Sequence, residues 1–153
     1  MASQLVSETQ IQQAFVLTLR NILIPRYPQL RWFHSIPNGL KLPSLGAAAK
    51  AKREGLTAGV ADMFLPLPSR GCHGMYLEFK KDKGKQSPSQ QAFQQWCANT
   101  SYEYHVVRDV KTAVEVILVA GVRTPLLKSL LAWALLPLVF FEFEVHAVTA
   151  AAW

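Results

Sequence analysis

The sequence is poor in cysteine and lacks the loops and motifs of several enzyme classes. Cys72 and Cys97 are its only two cysteines and form no C-x-x-C pair, so neither a disulfide framework nor a zinc site is indicated. It contains no glycine-rich phosphate loop, nucleophile elbow or Ser/His/Asp spacing. The first residues lack the basic segment followed by an apolar segment that forms a secretory signal peptide, so we expect a cytoplasmic protein.

Long apolar runs are also missing, apart from one near the carboxyl end. Residues 130–141 form an apolar run of only 12 residues with Pro137 inside it, whereas a membrane span needs about 18 or more. We therefore predict a main domain at residues 1–122 and an apolar extension at residues 123–153. A buried or oligomer-forming extension is favoured over membrane contact, which stays open as an alternative.

Acidic residues are outnumbered by basic ones. The 153 residues include 16 Lys and Arg against 10 Asp and Glu, a formal net charge of +6. This balance favours polyanionic partners, nucleic acid first and anionic membrane second, although a basic protein without any anionic ligand stays open. With 50% hydrophobic and 17% charged residues, the chain is typical of a globular domain.

Hydrophobic periodicity predicts an α/β domain. Ser7 and Gln10 fit a capping box ahead of a helix that should end before Pro25. The predicted order is α-β-β-β-α-β-α, a mixed α/β core with one main sheet. Strands are predicted at 31–36, 60–67, 75–80 and 104–107, and helices at 8–23, 88–97 and 110–121, with a short one at 47–54 in a basic loop.

Asp62 and Glu78 are the candidate catalytic residues. They are 16 residues apart, a separation that suits a strand, a turn and the adjacent strand. Two carboxylates that meet in this way can bind a hard divalent cation, and Lys80 shares the strand face of Glu78 because side chains alternate. Two carboxylates and a lysine in this arrangement are the groups that metal-assisted phosphodiester hydrolysis requires. The structural alternatives are ordinary ion pairs with lysine.

Two further side chains allow two interpretations each. Gln90 lies three residues after Ser87, so it either completes a capping box or reaches the metal site from the helix start. Glu8 lies in the first turn of the first helix, where the helix dipole favours an acid, and it equally suits a metal shell.

Four motifs lead up to these residues: Gly-Leu-Thr-Ala-Gly-Val-Ala-Asp up to Asp62, Tyr-Leu-Glu-Phe-Lys up to Lys80, Gly-Lys-Gln-Ser-Pro-Ser-Gln up to Gln90 and Tyr-His-Val-Val-Arg up to Arg108. Taken together, they resemble the motifs of the VRR-NUC nucleases of the PD-(D/E)xK restriction-endonuclease-like superfamily. The resemblance spans about residues 5–120. Ala61 replaces a frequent proline, and the extension matches nothing in the family.

The resemblance implies a restriction-endonuclease-like core and a structure-selective DNA endonuclease that uses Mg²⁺ or Mn²⁺. It implies metal ligation by Asp62, Glu78, the Phe79 carbonyl and Glu8, a catalytic role for Lys80, and an aligning role for Gln90. Free-standing relatives resemble Holliday-junction resolvases and act as homodimers. The candidate phosphate-binding residues are Lys50, Lys52, Arg53 and Arg108.

Two rival functions stay open. A non-catalytic nucleic-acid-binding module would bind with steep salt dependence but would not cleave. A membrane-associated scaffold would depend on the apolar extension.

Overall fold

The computed structural model describes residues 6–37 and 43–121. The extension predicted at 123–153 lies outside these residues. Within the described part of the chain, no helix is both long enough and apolar enough to cross a membrane.

The predicted order of elements is confirmed, with the short basic helix inserted between the first two strands. Strand β1 is shorter than its predicted range, because a 3-10 turn occupies Pro28–Trp32. The elements are α1 (Glu8–Thr18), a π-helical turn (Leu19–Leu23), α2 (Ile24–Arg26), β1 (His34–Ser35), α3 (Leu45–Arg53), β2 (Met63–Leu65), β3 (Met75–Phe79), α4 (Pro88–Asn99), β4 (Glu103–Val107) and α5 (Val110–Gly121).

The first helix starts as predicted, but the prediction that it ends before Pro25 is wrong. Ser7 and Gln10 form the capping box at its start. Proline normally breaks a helix, because it lacks an N–H and its ring clashes with the carbonyl four residues earlier. Here the N–H of Ile24 bonds to the carbonyl of Leu19, five residues back. This π-helical register change lets the chain stay helical through Pro25 into α2.

The four strands form one sheet in the order β1-β2-β3-β4. The β1–β2 and β2–β3 pairs are antiparallel, and Met63 lies opposite Leu77. The β3–β4 pair is parallel, with Phe79 opposite Val107. Helix α4 is the crossover that a parallel pair requires. The register places the last residues of β3 at the same end of the sheet as the start of β2.

One face of the sheet packs against α1 and α5 and forms the hydrophobic core. The rings of Phe15 and Phe79 lie 5.6 Å apart across this interface. Burial of one such side chain contributes roughly 1.5–3 kcal/mol. The buried core residues are Ile11, Phe15, Leu19, Leu23, Leu30, Met63, Leu65, Met75, Leu77, Phe79, Val107, Ala113, Val114 and Ile117.

The other face carries an aromatic cluster beneath α4. Phe93 of α4 meets Tyr76 of β3 edge-on, with ring centroids 5.0 Å apart. Trp96 stacks on Phe93 at 5.5 Å and on Tyr102 at 5.5 Å. Since side chains two apart on a strand share a face, the position that follows Tyr76 on this face is Glu78.

Gly59 allows the chain before β2 to approach the start of α4. Its φ is +90°, and a Cβ built on it would lie 2.6 Å from the backbone carbonyl atoms of Ser89. Gly55 has a similar φ of +98°, yet a Cβ there would meet nothing within 4 Å. A side chain at either glycine would strain the backbone, but only a side chain at Gly59 would also clash with a neighbouring segment.

We expect Gly59→Ala to lower the free energy of unfolding by about 2–4 kcal/mol, because it adds a steric clash to backbone strain of roughly 1–3 kcal/mol. Gly55→Ala should lower the free energy of unfolding only by the backbone strain, about 1–2 kcal/mol. Chemical denaturation of both variants would measure the difference. Equal losses would contradict a packing role for Gly59.

Candidate active site

Asp62 immediately precedes β2 and is fixed by two neighbouring strands. Its carboxylate Oδ2 accepts a hydrogen bond of 2.8 Å from the backbone N–H of Phe79. Its backbone carbonyl accepts one of 2.7 Å from the N–H of Ile36. Burial raises the pKa of Asp62, and the Phe79 hydrogen bond and the charge of Lys80 act in the opposite direction.

Glu78 and Lys80 lie on the same face of the sheet, as the alternation predicts. Glu78 is fully buried, and Lys80 is 8% exposed. The Lys80 ammonium Nζ lies 2.7 Å from Glu78 Oε1. Burial raises the pKa of Glu78; the Lys80 hydrogen bond lowers it, and the negative charges of Asp62 and Glu8 raise it further.

Gln90 combines the two roles that its position allowed. Its Oε1 accepts a hydrogen bond of 2.8 Å from the backbone N–H of Ser87, which completes the capping box of α4. Its Nε2 donates to Oε1 of Glu78. One amide therefore fixes the start of α4 and orients the buried carboxylate.

Glu8 comes to the same site from the start of α1. Its Oε2 lies 3.9 Å from the Lys80 ammonium, and its Oε1 accepts a hydrogen bond of 3.2 Å from the N–H of Lys81. A Cβ at Gly84 would lie 3.0 Å from Glu8 Oε1, so this loop fits closely around the carboxylate. The structure thus gathers Glu8, Asp62, Glu78, Lys80 and Gln90 at one end of the sheet.

Tyr104 and Gln86 are site residues that the sequence analysis missed. The Tyr104 hydroxyl lies 3.5 Å from Glu78 Oε2, and Gln86 Nε2 donates to that hydroxyl at 3.3 Å. Burial raises the pKa of Tyr104, and the charge of Glu78 raises it further. Tyr104 stands opposite Tyr76 in the parallel register, so only the strand pairing would have placed it beside Glu78.

Arg108 contacts the protein's own backbone. Its guanidinium donates to the carbonyls of Lys81, Asp82 and Gly84 at 2.6, 2.8 and 3.0 Å. These bonds hold in place the loop whose Lys81 N–H donates to Glu8. The structure therefore shows that Arg108 binds this loop, and the phosphate contact predicted for Arg108 remains a prediction.

The other predicted phosphate-binding residues, Lys50, Lys52 and Arg53, lie in the last turn of α3. Their side chains are exposed, and Lys50 pairs with Glu54 at 3.7 Å. The structure does not bring them into contact with the carboxylates within the described residues. Their role in binding DNA remains a prediction.

The site carries more negative than positive charge. Among the described residues, three carboxylates, those of Glu8, Asp62 and Glu78, interact with one ammonium, that of Lys80. In the described part of the chain no group of three or more His, Cys, Asp or Glu side chains is arranged to hold a metal ion; Lys80 contacts Glu78 and Glu8 instead. The donor set nevertheless fits a hard divalent cation, which prefers oxygen ligands and would balance the surplus charge.

The backbone at Phe79 adds to this fit. In a strand, the N–H and C=O of one residue point to the same neighbour. Because the N–H of Phe79 bonds to Asp62, its carbonyl faces the same side of β3. The carbonyl predicted as a ligand therefore lies on the side of β3 that faces Asp62.

Comparison of the sequence with protein-family models finds no match, and comparison with curated proteins finds none either. Among solved structures, the fold is similar to that of a chain described as a VRR_NUC domain protein, with a TM-score of 0.57. The two are 21% identical, and the match covers 74% of this chain and 87% of that one. The chain therefore has the restriction-endonuclease-like α/β fold that its motifs predict.

Proposed function

We propose that this chain belongs to the VRR-NUC nucleases and is a divalent-metal-dependent endonuclease that cleaves structured DNA. The observation that carries the proposal is the convergence of Asp62, Glu78 and Lys80 at one end of the sheet, with Glu78 fully buried. Burial of a carboxylate beside two others is costly, and ionisable groups perturbed in this way cluster at functional sites. The similarity of the fold to a VRR_NUC domain protein supports the same function.

Mg²⁺ or Mn²⁺ is the metal we propose. The ligands would be the carboxylates of Asp62 and Glu78, the carbonyl of Phe79 and, from α1, the carboxylate of Glu8. A bound ion of this kind lowers the pKa of a water ligand and shields the charge of the scissile phosphate.

The chain's own groups would prepare the reaction. The N–H of Phe79 orients Asp62, and the amide of Gln90 orients Glu78. Lys80 places a positive charge where negative charge develops on the phosphate, or positions the attacking water. Glu78 and Glu8 hold its ammonium at the site.

DNA shape, rather than base sequence, is the substrate feature we propose. The positive net charge of +6 suits a polyanion, and contacts to phosphates position a protein without reading sequence. A homodimer would present two such centres to opposed strands, as a four-way junction requires.

Cleavage of labelled four-way, flap and linear DNA in Mg²⁺, in Mn²⁺ and in EDTA tests this function. We expect cleavage in either metal, none in EDTA, and at least tenfold faster cutting of branched than of linear DNA, a barrier difference of about 1.4 kcal/mol. Binding without cleavage in both metals would favour the non-catalytic module. Equal cutting of all three substrates would contradict structure selectivity.

A further inference from the structure

A groove between α1 and the edge strand β1 lies beside the candidate active site and is not used by the proposed chemistry. It is open to solvent and has a volume of about 770 Å³. Part of its lining is apolar, including Val16 and Met63. Its polar lining residues are Thr9, Gln12, Gln13, Arg20, His34 and Ser35.

One end of the groove is lined by residues that neighbour the candidate active site along the chain. Thr9 directly follows Glu8 on α1, and Met63 directly follows Asp62 at the start of β2. A DNA strand whose reacting bond lies near those two carboxylates would therefore pass close to this end of the groove. Arg20 is 11 residues beyond Thr9, which is about 16 Å along a helix that rises roughly 1.5 Å per residue.

The charges in the groove suit an anionic ligand. None of the described residues that line it is acidic. Arg20 is exposed and, within residues 6–37 and 43–121, its guanidinium makes no hydrogen bond or ion pair. It differs in this respect from Lys80 and Arg108, whose charged groups are engaged by the protein itself. The amides of Gln12 and Gln13 add neutral hydrogen-bond donors along the way.

The length of the groove suits several nucleotides. A duplex strand advances roughly 3.4 Å per phosphate along its axis, so about 16 Å corresponds to four or five phosphates. A free guanidinium at the far end can bind a phosphate with two parallel hydrogen bonds.

We infer that the groove between α1 and β1 carries one DNA strand away from the catalytic centre, and that Arg20 binds a backbone phosphate of that strand. This inference rests on the proposed function, and it identifies which surface the substrate follows. It makes Arg20 a substrate-binding residue some distance from the reacting bond.

Equilibrium binding in EDTA tests the inference without requiring cleavage. Fluorescence anisotropy with a labelled four-way junction, titrated between 50 and 200 mM salt, would compare wild type with Arg20→Ala and Arg20→Lys. We expect Arg20→Ala to reduce the slope of log K against log salt by about 0.7–0.9, the value for one phosphate contact. Arg20→Lys should restore most of the slope, because it retains the charge.

Arg26→Ala is the matched control, because Arg26 is an exposed arginine of the neighbouring helix α2 and does not line the groove. Its slope should equal that of wild type. Equal slopes for Arg20→Ala and wild type would overturn the inference. Wild type that binds and responds to Arg20→Ala but never cleaves would refute the proposed nuclease and leave the groove assignment standing.

Discussion

Replacement of Asp62 by asparagine is expected to abolish DNA cleavage while leaving the folded protein at least as stable as wild type. The asparagine carbonyl can still accept the N–H of Phe79, which Asp62 accepts at 2.8 Å. The substitution removes a charge whose burial is unfavourable, since burial raises the pKa of Asp62. It also removes the charged oxygen that would bind the metal.

The expected loss of activity is at least about 100-fold, because loss of a group that merely supports a metal ligand already costs 10–100-fold. Cleavage rates in Mg²⁺ and Mn²⁺ and thermal melts of the same samples would measure the two effects separately. Wild type should be stabilised by millimolar Mn²⁺, whereas Asp62→Asn should respond much less.

Glu115→Gln is a suitable control for the loss of a carboxylate. Glu115 lies on α5, a helix that packs against the opposite face of the sheet from Glu78. The Glu115→Gln variant should cleave DNA at the rate of wild type. Undiminished cleavage by Asp62→Asn would refute the assignment of the site.

Lys80→Met is expected to lower the free energy of unfolding by about 3–5 kcal/mol at neutral pH and to abolish cleavage. Glu78 is fully buried, and its ammonium partner lies 2.7 Å away. Removing one member of a buried ion pair leaves an uncompensated charge, which accounts for the size of the loss. The double variant Glu78→Gln, Lys80→Met should regain most of the stability but none of the activity.

The pH dependence of Lys80→Met follows from the direction of the Glu78 shift. Burial raises the pKa of Glu78 above its ordinary value of 4.5, and loss of Lys80 removes an influence that lowers it. Between that ordinary value and the raised one, the folded state binds more protons than the unfolded state. The free energy of unfolding therefore falls as pH rises through this window, and the variant should be most stable at its acid end.

Denaturant unfolding of the single and double variants across this pH range would test the prediction. The double variant should lack the part of the pH dependence that Glu78 causes. Lys85→Met removes an exposed lysine of the same loop region and should change stability by no more than about 0.5 kcal/mol. A loss at Lys80 no larger than that at Lys85 would contradict the buried ion pair.

The sequence alone predicted which of the candidate site residues lie together where only local rules are involved. Glu78 and Lys80 share a face since strand side chains alternate, and the structure confirms this with the contact at 2.7 Å. Ser7 and Ser87 mark helix starts through short-range capping bonds, and both boxes form. The prediction at Pro25 was wrong because the N–H of Ile24 bonds five residues back, and this π-helical register lets the chain stay helical through the proline.

What only the tertiary structure decided are the contacts between segments distant along the chain. Tyr104 reaches Glu78 because β4 pairs parallel to β3 in one register, and Gln90 reaches it because α4 begins over that strand. Arg108 bonds to a loop that precedes it by more than 20 residues, and the groove beside Arg20 exists because α1 lies against the edge of the sheet. Alternation and capping are properties of a few adjacent residues, whereas these contacts depend on how helices cross the sheet and which strands pair.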